Sequence, residues 1–241
     1  MTGPVRLELD GAVALVTLDA PPLNIFDLAM RDGLLEALAA VRDVPEVGAM
    51  VLRAEGRHFS AGADLSEFGS AESILEARRI RWDRDPWGLL WDLPVPTVAA
   101  LHGTALGSGL EMSLLCDLRL ASPDTRVGLP ETKLAMLPAA GGTQSLTRAL
   151  GPHSALPLVL SAVTLDAAEA ARRGVVHRVV DDVEAEARLV AEQLAGLGRG
   201  LARAARTALH AAVDLSLADG LAVERRLARR WRSRQLGPDR A

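Results

Sequence analysis

Two glutamates, Glu111 and Glu131, lie twenty residues apart in settings unlike that of an ordinary surface carboxylate. Glu111 ends the glycine-rich stretch Leu106-Gly107-Ser108-Gly109-Leu110-Glu111, which predicts a turn that delivers this side chain into the first turn of an apolar helix. Glu131 follows Gly128-Leu129-Pro130. Two carboxyl groups that face one substrate can divide acid and base roles, because their environments push their pKa values apart. The pair therefore predicts an enzyme.

Two loops of small residues indicate what such carboxyl groups could act on. The loop Phe59-Ser60-Ala61-Gly62-Ala63-Asp64-Leu65 has little side-chain bulk, so a ligand can approach its backbone. The stretch from Gly103 to Glu111 offers free amides at a helix N-terminus, where the dipole also favours negative charge. Taken singly, each stretch could be an ordinary turn. Together they supply two separate N–H donors, which is the usual makeup of an oxyanion hole.

The composition is that of an ordinary globular chain, with 241 residues, 49% hydrophobic and 24% charged. A net charge of −4 gives no general attraction for nucleic acid, and a single cysteine, Cys116, fits a reducing compartment. The N-terminus lacks a secretory signal pattern, and the apolar runs end short of the ~20 residues of a membrane span. We therefore expect a cytoplasmic protein with no membrane partner. The scattered histidines predict no metal site.

The elements that must position these residues alternate between strand and helix. Strands Val5 to Leu9 and Ala12 to Leu18 flank Asp10-Gly11, a dipeptide typical of tight hairpins. Asp27 predicts a helix cap. We predict a helix from this cap to about Val41, a helix from Ser73 to Trp91, and helices that begin at Thr143 and at Asp166. The further predicted strands are Ala49 to Arg53, Thr97 to Leu101, Asp117 to Ala121 and Val175 to Val180. From Asp182 the pattern is helical throughout, so we expect an α/β layer structure with a helical appendage.

Read in chain order, the motifs resemble the crotonase, or enoyl-CoA hydratase/isomerase, superfamily over about residues 5 to 235. They are Phe59 to Leu65, Ala105 to Glu111, Cys116-Asp117, Leu129-Pro130-Glu131 and Gly141-Gly142-Thr143-Gln144. The resemblance implies an α/β fold, with a crotonase-like spiral of repeated ββα units over residues 1–181. It also implies a C-terminal helical oligomerisation region over residues 182–241. Acyl-CoA thioesters as substrates, a homotrimer or hexamer, and no metal or redox cofactor follow from the same resemblance.

The resemblance also assigns the oxyanion hole to the backbone amides of Ala63 and Ser108. The family commonly has glycine where this chain has Ser108, and a serine amide still donates there. The carbonyl of Ala61 would lie where the family receives the adenine of CoA. The remaining substrate-binding residues implied by the match are Gly62, Asp64, Leu65 and Gly107.

Hydratases of this family carry glutamates at both positions matched by Glu111 and Glu131. The implied reaction adds water across a trans-2-enoyl-CoA double bond and gives a 3-hydroxyacyl-CoA. Ionised Glu111 would orient and deprotonate water for attack at C3, and protonated Glu131 would deliver a proton to C2. Two alternatives stay open: an enoyl-CoA isomerase that uses Glu131 alone, and a CoA-binding scaffold without turnover.

Two further segments have both a plain and a functional interpretation. Trp82, Trp87 and Trp91 share a segment with several arginines, which is either a packed helix or, as in the family, a wall of the acyl pocket with arginines near CoA phosphates. The stretch from Leu221 to Ala241 has seven arginines against two acidic residues. It is either a solvated or subunit-facing helix or a phosphate-binding surface for CoA or nucleic acid. We expect no nucleic-acid partner.

Overall fold

A computed structural model describes residues 3–67, 73–75 and 85–236 of the chain. Strands β1 (Val5–Asp10) and β2 (Val13–Leu18) pair as an antiparallel hairpin, in which Gly11 takes a φ of +58°. Asp27 caps helix α1 (Leu28–Asp43) by accepting a hydrogen bond from the Met30 amide at 2.8 Å. Strand β3 (Ala49–Ala54) then pairs parallel to β2. The predicted order of strand, strand, helix, strand is confirmed.

The rest of the described chain continues this alternation. The strands are β4 (Thr97–Leu101), β5 (Thr104–Leu106), β6 (Leu118–Ala121), β7 (Arg126–Gly128), β8 (Leu165–Asp166) and β9 (Arg178–Val179). The helices are α2 (Pro86–Trp91), α3 (Ser108–Leu114), α4 (Gly142–Leu150), α5 (Pro152–Ser161), α6 (Ala167–Arg173), α7 (Val183–Ala195), α8 (Arg199–Asp214) and α9 (Leu217–Leu236). Short 3-10 turns cover Leu65–Glu67 and Glu131–Leu134.

Two sheets organise these strands. The larger has the order β1-β2-β3-β4-β6-β9 and the smaller has the order β5-β7-β8. The units β4-β5-α3 and β6-β7-α4 each place their first strand in the larger sheet and their second in the smaller. The expected repetition of ββα units is therefore present, and each second strand ends at a segment that carries a predicted site residue.

Both faces of the larger sheet are covered, as is usual for parallel strands. Side chains alternate along β2, so that Val16 packs with α1 residues such as Leu34 on one face and Leu15 packs with Val190 of α7 on the other. Helix α7 thus belongs to the packing around the sheet. The division into residues 1–181 and 182–241 stays a prediction. No helix in the described ranges is long and apolar enough to cross a membrane.

The structure corrects several element boundaries. A continuous helix from Ser73 to Trp91 is wrong, because Asp85 is a non-helical cap whose side chain accepts a hydrogen bond from the Gly88 amide at 2.9 Å. Helix α2 begins only at Pro86. The last strand is shorter than expected, and the sequence did not predict β5, β7, β8 or α5. The predictions for Trp82 and for the arginines of its segment (Arg78, Arg79, Arg81 and Arg84) lie outside the described residues.

Candidate active site

Helix α3 brings Glu111 into the interior. Gly107 precedes the helix with a φ of +50°, a conformation that favours glycine, and the Glu111 amide donates to the Gly107 carbonyl at 2.9 Å. Gly109 lies against the next loop, where an added Cβ would come within 2.8 Å of the Ser60 Cβ. The two glycines therefore let the helix start abruptly and pack closely. Glu111, in its first turn, is only 2% exposed.

Two amides from a distant loop hold the Glu111 carboxylate. Its Oε1 accepts hydrogen bonds from the amides of Gly142 at 2.8 Å and Ala140 at 3.0 Å. Burial, together with a smaller contribution from the charge of Glu131, raises the pKa of Glu111 to about 7. The two amides and the Ser108 hydroxyl act in the opposite direction, because they stabilise the ionised form. A carboxyl group with a pKa near neutrality is suited to exchange protons at neutral pH.

Glu131 has a different environment, at the first position of its 3-10 turn. The side chain is half-buried, and burial raises the pKa of this carboxyl as well. Its Oε2 is buried and has no hydrogen-bond partner among the described residues. Its Oε1 lies close to the helix start, 3.0 Å from where a Cβ on Gly107 would stand. Gly107 thus lies against the Glu131 carboxyl group, and a larger residue would intrude on Glu131.

A buried asparagine sets the shape of the loop that contains Ala63. Asn24 has a φ of +46°, and its amide group donates to the carbonyls of Glu55 at 2.9 Å and His58 at 2.8 Å. The Ser60 hydroxyl donates to the Asn24 carbonyl at 2.7 Å and accepts from the Gly62 amide at 3.1 Å. This network fixes the small-residue loop from inside. This role of Asn24 was not predicted from the sequence.

The loop with Ala63 meets the loop with Ser108. The Leu106 amide donates to the Ser60 carbonyl at 3.0 Å, and an added Cβ on Gly62 would lie 3.2 Å from the Leu106 carbonyl oxygen. Among the described residues, the amides of Ala63 and Ser108 donate to no protein acceptor. The positive φ falls on Gly107, whereas Ser108 opens the helix and is not among the residues with positive φ. A serine is therefore accommodated there without backbone strain.

All nine site residues predicted from the sequence line one cavity of about 1250 Å³. They are Ala61, Gly62, Ala63, Asp64, Leu65, Gly107, Ser108, Glu111 and Glu131. The same cavity is lined by residues that were not assigned to the site, including Arg31, Met136 and Leu137, and by Trp87 and Trp91. The structure thus brings together residues that lie up to seventy positions apart in the chain.

Some contributors to this cavity left only a weak sequence signal. Arg31 lies four residues after the helix cap Asp27, so its position on the first turns of α1 could have been read from the cap. Its guanidinium lies 5.8 Å from the Trp87 ring and 3.6 Å from the Glu67 carboxylate. The amides of Ala140 and Gly142 had no such signal, because backbone donors carry no residue type. No group of metal-ligating side chains occurs in the described part of the chain.

Comparison with known proteins identifies the family. The model of the family described as Enoyl-CoA hydratase/isomerase matches residues 8–236 of this chain. The chain belongs to the enoyl-CoA hydratase/isomerase family. A relative from Mycobacterium bovis, named probable enoyl-CoA hydratase echA8, is 38% identical over 226 residues, which are 92% of this chain and 87% of that protein. A probable enoyl-CoA hydratase from Rhizobium meliloti is 37% identical over 224 residues, 92% of this chain and 86% of the relative.

Solved structures agree with this membership. The crystal structure of enoyl-CoA hydratase from Bacillus anthracis superposes with a TM-score of 0.88 at 31% identity, covering 94% of this chain and 90% of that one. A crystal structure from Thermobifida fusca, in complex with CoA, has a TM-score of 0.88 at 28% identity and covers 97% and 95% of the two chains. The crotonase-type α/β fold expected from the sequence is confirmed.

Membership in the enoyl-CoA hydratase/isomerase family gives the cavity a chemical context. Ala63 and Ser108 line this cavity together with the two glutamates. The roles of individual residues stay predictions. What the geometry adds is an asymmetry, since Glu111 accepts two backbone hydrogen bonds and the Oε2 atom of Glu131 accepts none from the described residues.

Proposed function

We propose that this protein is an enoyl-CoA hydratase, which adds water across a trans-2-enoyl-CoA to give a 3-hydroxyacyl-CoA. The observation that carries the proposal is the shared cavity, in which two free amides stand beside two carboxyl groups with unlike surroundings. Family membership and relatives named as enoyl-CoA hydratases support it. The proposed steps use only these protein groups, with CoA as part of the substrate.

The amides of Ala63 and Ser108 bind the thioester carbonyl oxygen in this proposal. As water adds, negative charge develops on that oxygen, and two aligned N–H donors stabilise the enolate-like state. The loop Ala61 to Leu65, together with Gly107, forms the side of the cavity that receives the CoA moiety. The carbonyl of Ala61 faces the adenine in this assignment. A related structure in complex with CoA is consistent with such a ligand.

The two carboxyl groups divide the proton transfers. Glu111, ionised and held by the amides of Ala140 and Gly142, orients a water molecule and takes one of its protons while the oxygen bonds to C3. Glu131 carries a proton and passes it to C2. Its Oε2 favours the protonated form, because the atom is buried and accepts no hydrogen bond from the described residues. The two titrations are coupled, because a charge on Glu131 raises the pKa of Glu111, and the proton on Glu131 removes that contribution so that Glu111 ionises more easily.

The two alternatives, an isomerase and a scaffold without turnover, leave one or both of the carboxyl groups without a role. An isomerase that relies on Glu131 alone leaves Glu111 idle, although Glu111 is buried and held by two amides that orient it. A scaffold without turnover would be favoured if Ser108 disturbed the oxyanion hole, yet Ser108 opens a helix and is not among the residues with positive φ. Hydration is therefore the function that the geometry supports best.

The acyl-pocket wall, the role of the arginine-rich C-terminal helix, the assembly and the location of the protein also stay predictions. Trp87 and Trp91 line the cavity and fit the acyl-pocket wall expected for their segment. The arginines Arg225, Arg226 and Arg229 are exposed on α9, which fits either of its two interpretations. A homotrimeric or hexameric assembly and a cytoplasmic location stay predictions, as does the absence of a nucleic-acid partner.

The experiment that tests the proposal compares crotonyl-CoA hydration by wild type, Glu111→Gln and Glu131→Gln. Each variant keeps the size of its side chain but removes one proton-transfer group, so each should lower kcat by at least ~10². Glu46→Gln, at an exposed position, is the matched control and should leave kcat unchanged. A 3-enoyl-CoA assayed in parallel distinguishes isomerisation. Near-normal hydration by either folded site variant would contradict the proposal.

A further inference from the structure

One wall of the cavity consists of a single short helix with two tryptophans. Trp87 and Trp91 lie four residues apart on α2 and both line the cavity. Trp87 packs against Phe26, with ring centroids 5.8 Å apart and an angle of 41° between the ring planes. Trp91 instead stacks on His210 of α8, with centroids 4.0 Å apart and planes only 9° from parallel. The wall is therefore held by the N-terminal core at one tryptophan and by the C-terminal helices at the other.

Contacts of Arg206 place Trp91 near the C-terminal end of α3, the helix that contains Glu111. The guanidinium of Arg206 donates to the Asp117 carboxylate at 2.8 Å and to the Trp91 carbonyl at 3.4 Å. Asp117 follows the C-terminal end of α3, where Leu115 also lines the cavity. Ser108 stands at the opposite end of this helix, and seven residues of helix rise about 10 Å. Along α3, the order is therefore the Ser108 amide first, then Glu111, and then Trp91 near the C-terminal end.

This order along α3 maps onto the substrate of the proposed hydratase. A thioester carbonyl at Ser108 and a C3 atom at Glu111 direct the rest of the acyl chain toward Leu115 and Trp91. We propose that His210 is a positioning residue that fixes Trp91 as the distal wall of the acyl site, so that helix α8 limits the length of acyl group accepted. This inference rests on the proposed acyl-CoA ligand, but not on its turnover.

Helix α8 is anchored well enough to hold such a wall. Near its N-terminus, the Arg199 guanidinium donates to the Val44 carbonyl at 2.6 Å, and near its C-terminus Asp214 pairs with Arg148 at 2.8 Å. Burial and the charge of Arg206 lower the pKa of His210, while the carboxylates of Asp117, Asp214 and Asp92 oppose this shift. The imidazole is therefore neutral at neutral pH, and flat ring stacking is the contact that it offers to Trp91.

The test measures binding of saturated thioesters, which cannot be hydrated. Titration calorimetry gives Kd for butyryl-CoA and dodecanoyl-CoA with wild type, His210→Ala and His210→Phe. We expect His210→Ala to shift the ratio of the two Kd values toward dodecanoyl-CoA by about fivefold or more, because Trp91 loses its support. His210→Phe retains an aromatic ring and should restore the wild-type ratio. His153→Ala, at an exposed position on α5, should leave both Kd values unchanged.

Two results would overturn the inference. One is an unchanged Kd ratio in folded His210→Ala, including the case in which both ligands weaken equally. The other is an equal shift in His210→Phe, which would mean that the imidazole acts by something other than stacking. A wild-type protein that binds both thioesters but hydrates no enoyl-CoA contradicts the proposed function and leaves this test fully informative.

Discussion

Glu111 and Glu131 line one cavity, yet the chain surrounds them differently. Glu111 lies within the first turn of a buried helix, where the amides of Ala140 and Gly142 donate to one of its oxygens. Glu131 opens a half-buried 3-10 turn, and its Oε2 has no donor among the described residues. Burial raises the pKa of both carboxyl groups, so burial alone does not separate their roles. The backbone donors differ, because two amides from a distant loop favour the ionised form of Glu111, whereas the backbone donor that acts in this direction at Glu131 is its own amide.

The largest expected effect is a pH-dependent difference in stability. The pKa of Glu111 is about 7 in the folded protein against 4.5 for the free group, so folding favours its protonated form. Stability is therefore lost as pH rises from 4.5 to 7, and the cost of about 3 kcal/mol is fully present above pH 7. Glu111→Gln has no such cost. In urea unfolding, the free energy of unfolding of Glu111→Gln minus that of wild type should rise by about 3 kcal/mol from pH 4.5 to pH 8.

The same unfolding measurement on Glu131→Gln completes the comparison between the two glutamates. The relative stability of this variant should rise over the same pH range with the same sign but by less, since the side chain is half-buried. Ionisable groups outside this pair are common to all three proteins and cancel in the difference. Equal pH dependence for the two variants, or a larger one for Glu131→Gln, would remove the distinction drawn between the two sites.

The second effect targets the donors directly. An added Cβ on Gly142 would stand 2.8 Å from the Glu111 Oε1, so Gly142→Ala forces the carboxylate away from its amide donors. A hydrogen bond to a charged group contributes about 1.5–3 kcal/mol, which corresponds to roughly a 10- to 100-fold loss in kcat for hydration. Gly220→Ala is the matched control, because an added Cβ there meets nothing within 4 Å. Unchanged kcat in Gly142→Ala would mean that these amides do not position Glu111.

Local chemistry explains which parts of the fold were predictable. Asp27 as a cap and Asp10-Gly11 as a hairpin turn act within a few residues, and both predictions are confirmed. Strands β5 and β7 have three residues each, and both depend on partners distant in the chain, since β5 pairs with β7 and β7 pairs also with β8. The predicted helix from Ser73 to Trp91 failed for a local reason. The pair Asp85-Pro86 is itself a start signal, and it outweighs helical spacing.

In the site, too, some residues could be predicted from the sequence and others could not. Residue types that the reaction needs stand in the sequence itself, so Glu111, Glu131 and the glycine-rich loops could be predicted. Backbone donors such as Gly142 are invisible by type and reach Glu111 from thirty-one residues away. The stack of Trp91 on His210 joins residues more than a hundred positions apart. Contacts of this kind depend on the completed fold, and no local pattern could have indicated them.

The smallest effect concerns the Ser108 hydroxyl. It lowers the pKa of Glu111, whereas the proposed oxyanion contact uses the Ser108 amide, which Ser108→Ala retains. The variant should lose no more than about threefold in kcat, because the Ser108 hydroxyl is the smallest contributor to the pKa of Glu111 and the two amide donors remain. Its pH profile should change in a definite direction. Loss of the hydroxyl raises the pKa of Glu111, so the acidic limb of kcat/KM moves to higher pH. A large loss of kcat would assign the side chain a direct role, and an unmoved limb would separate it from Glu111.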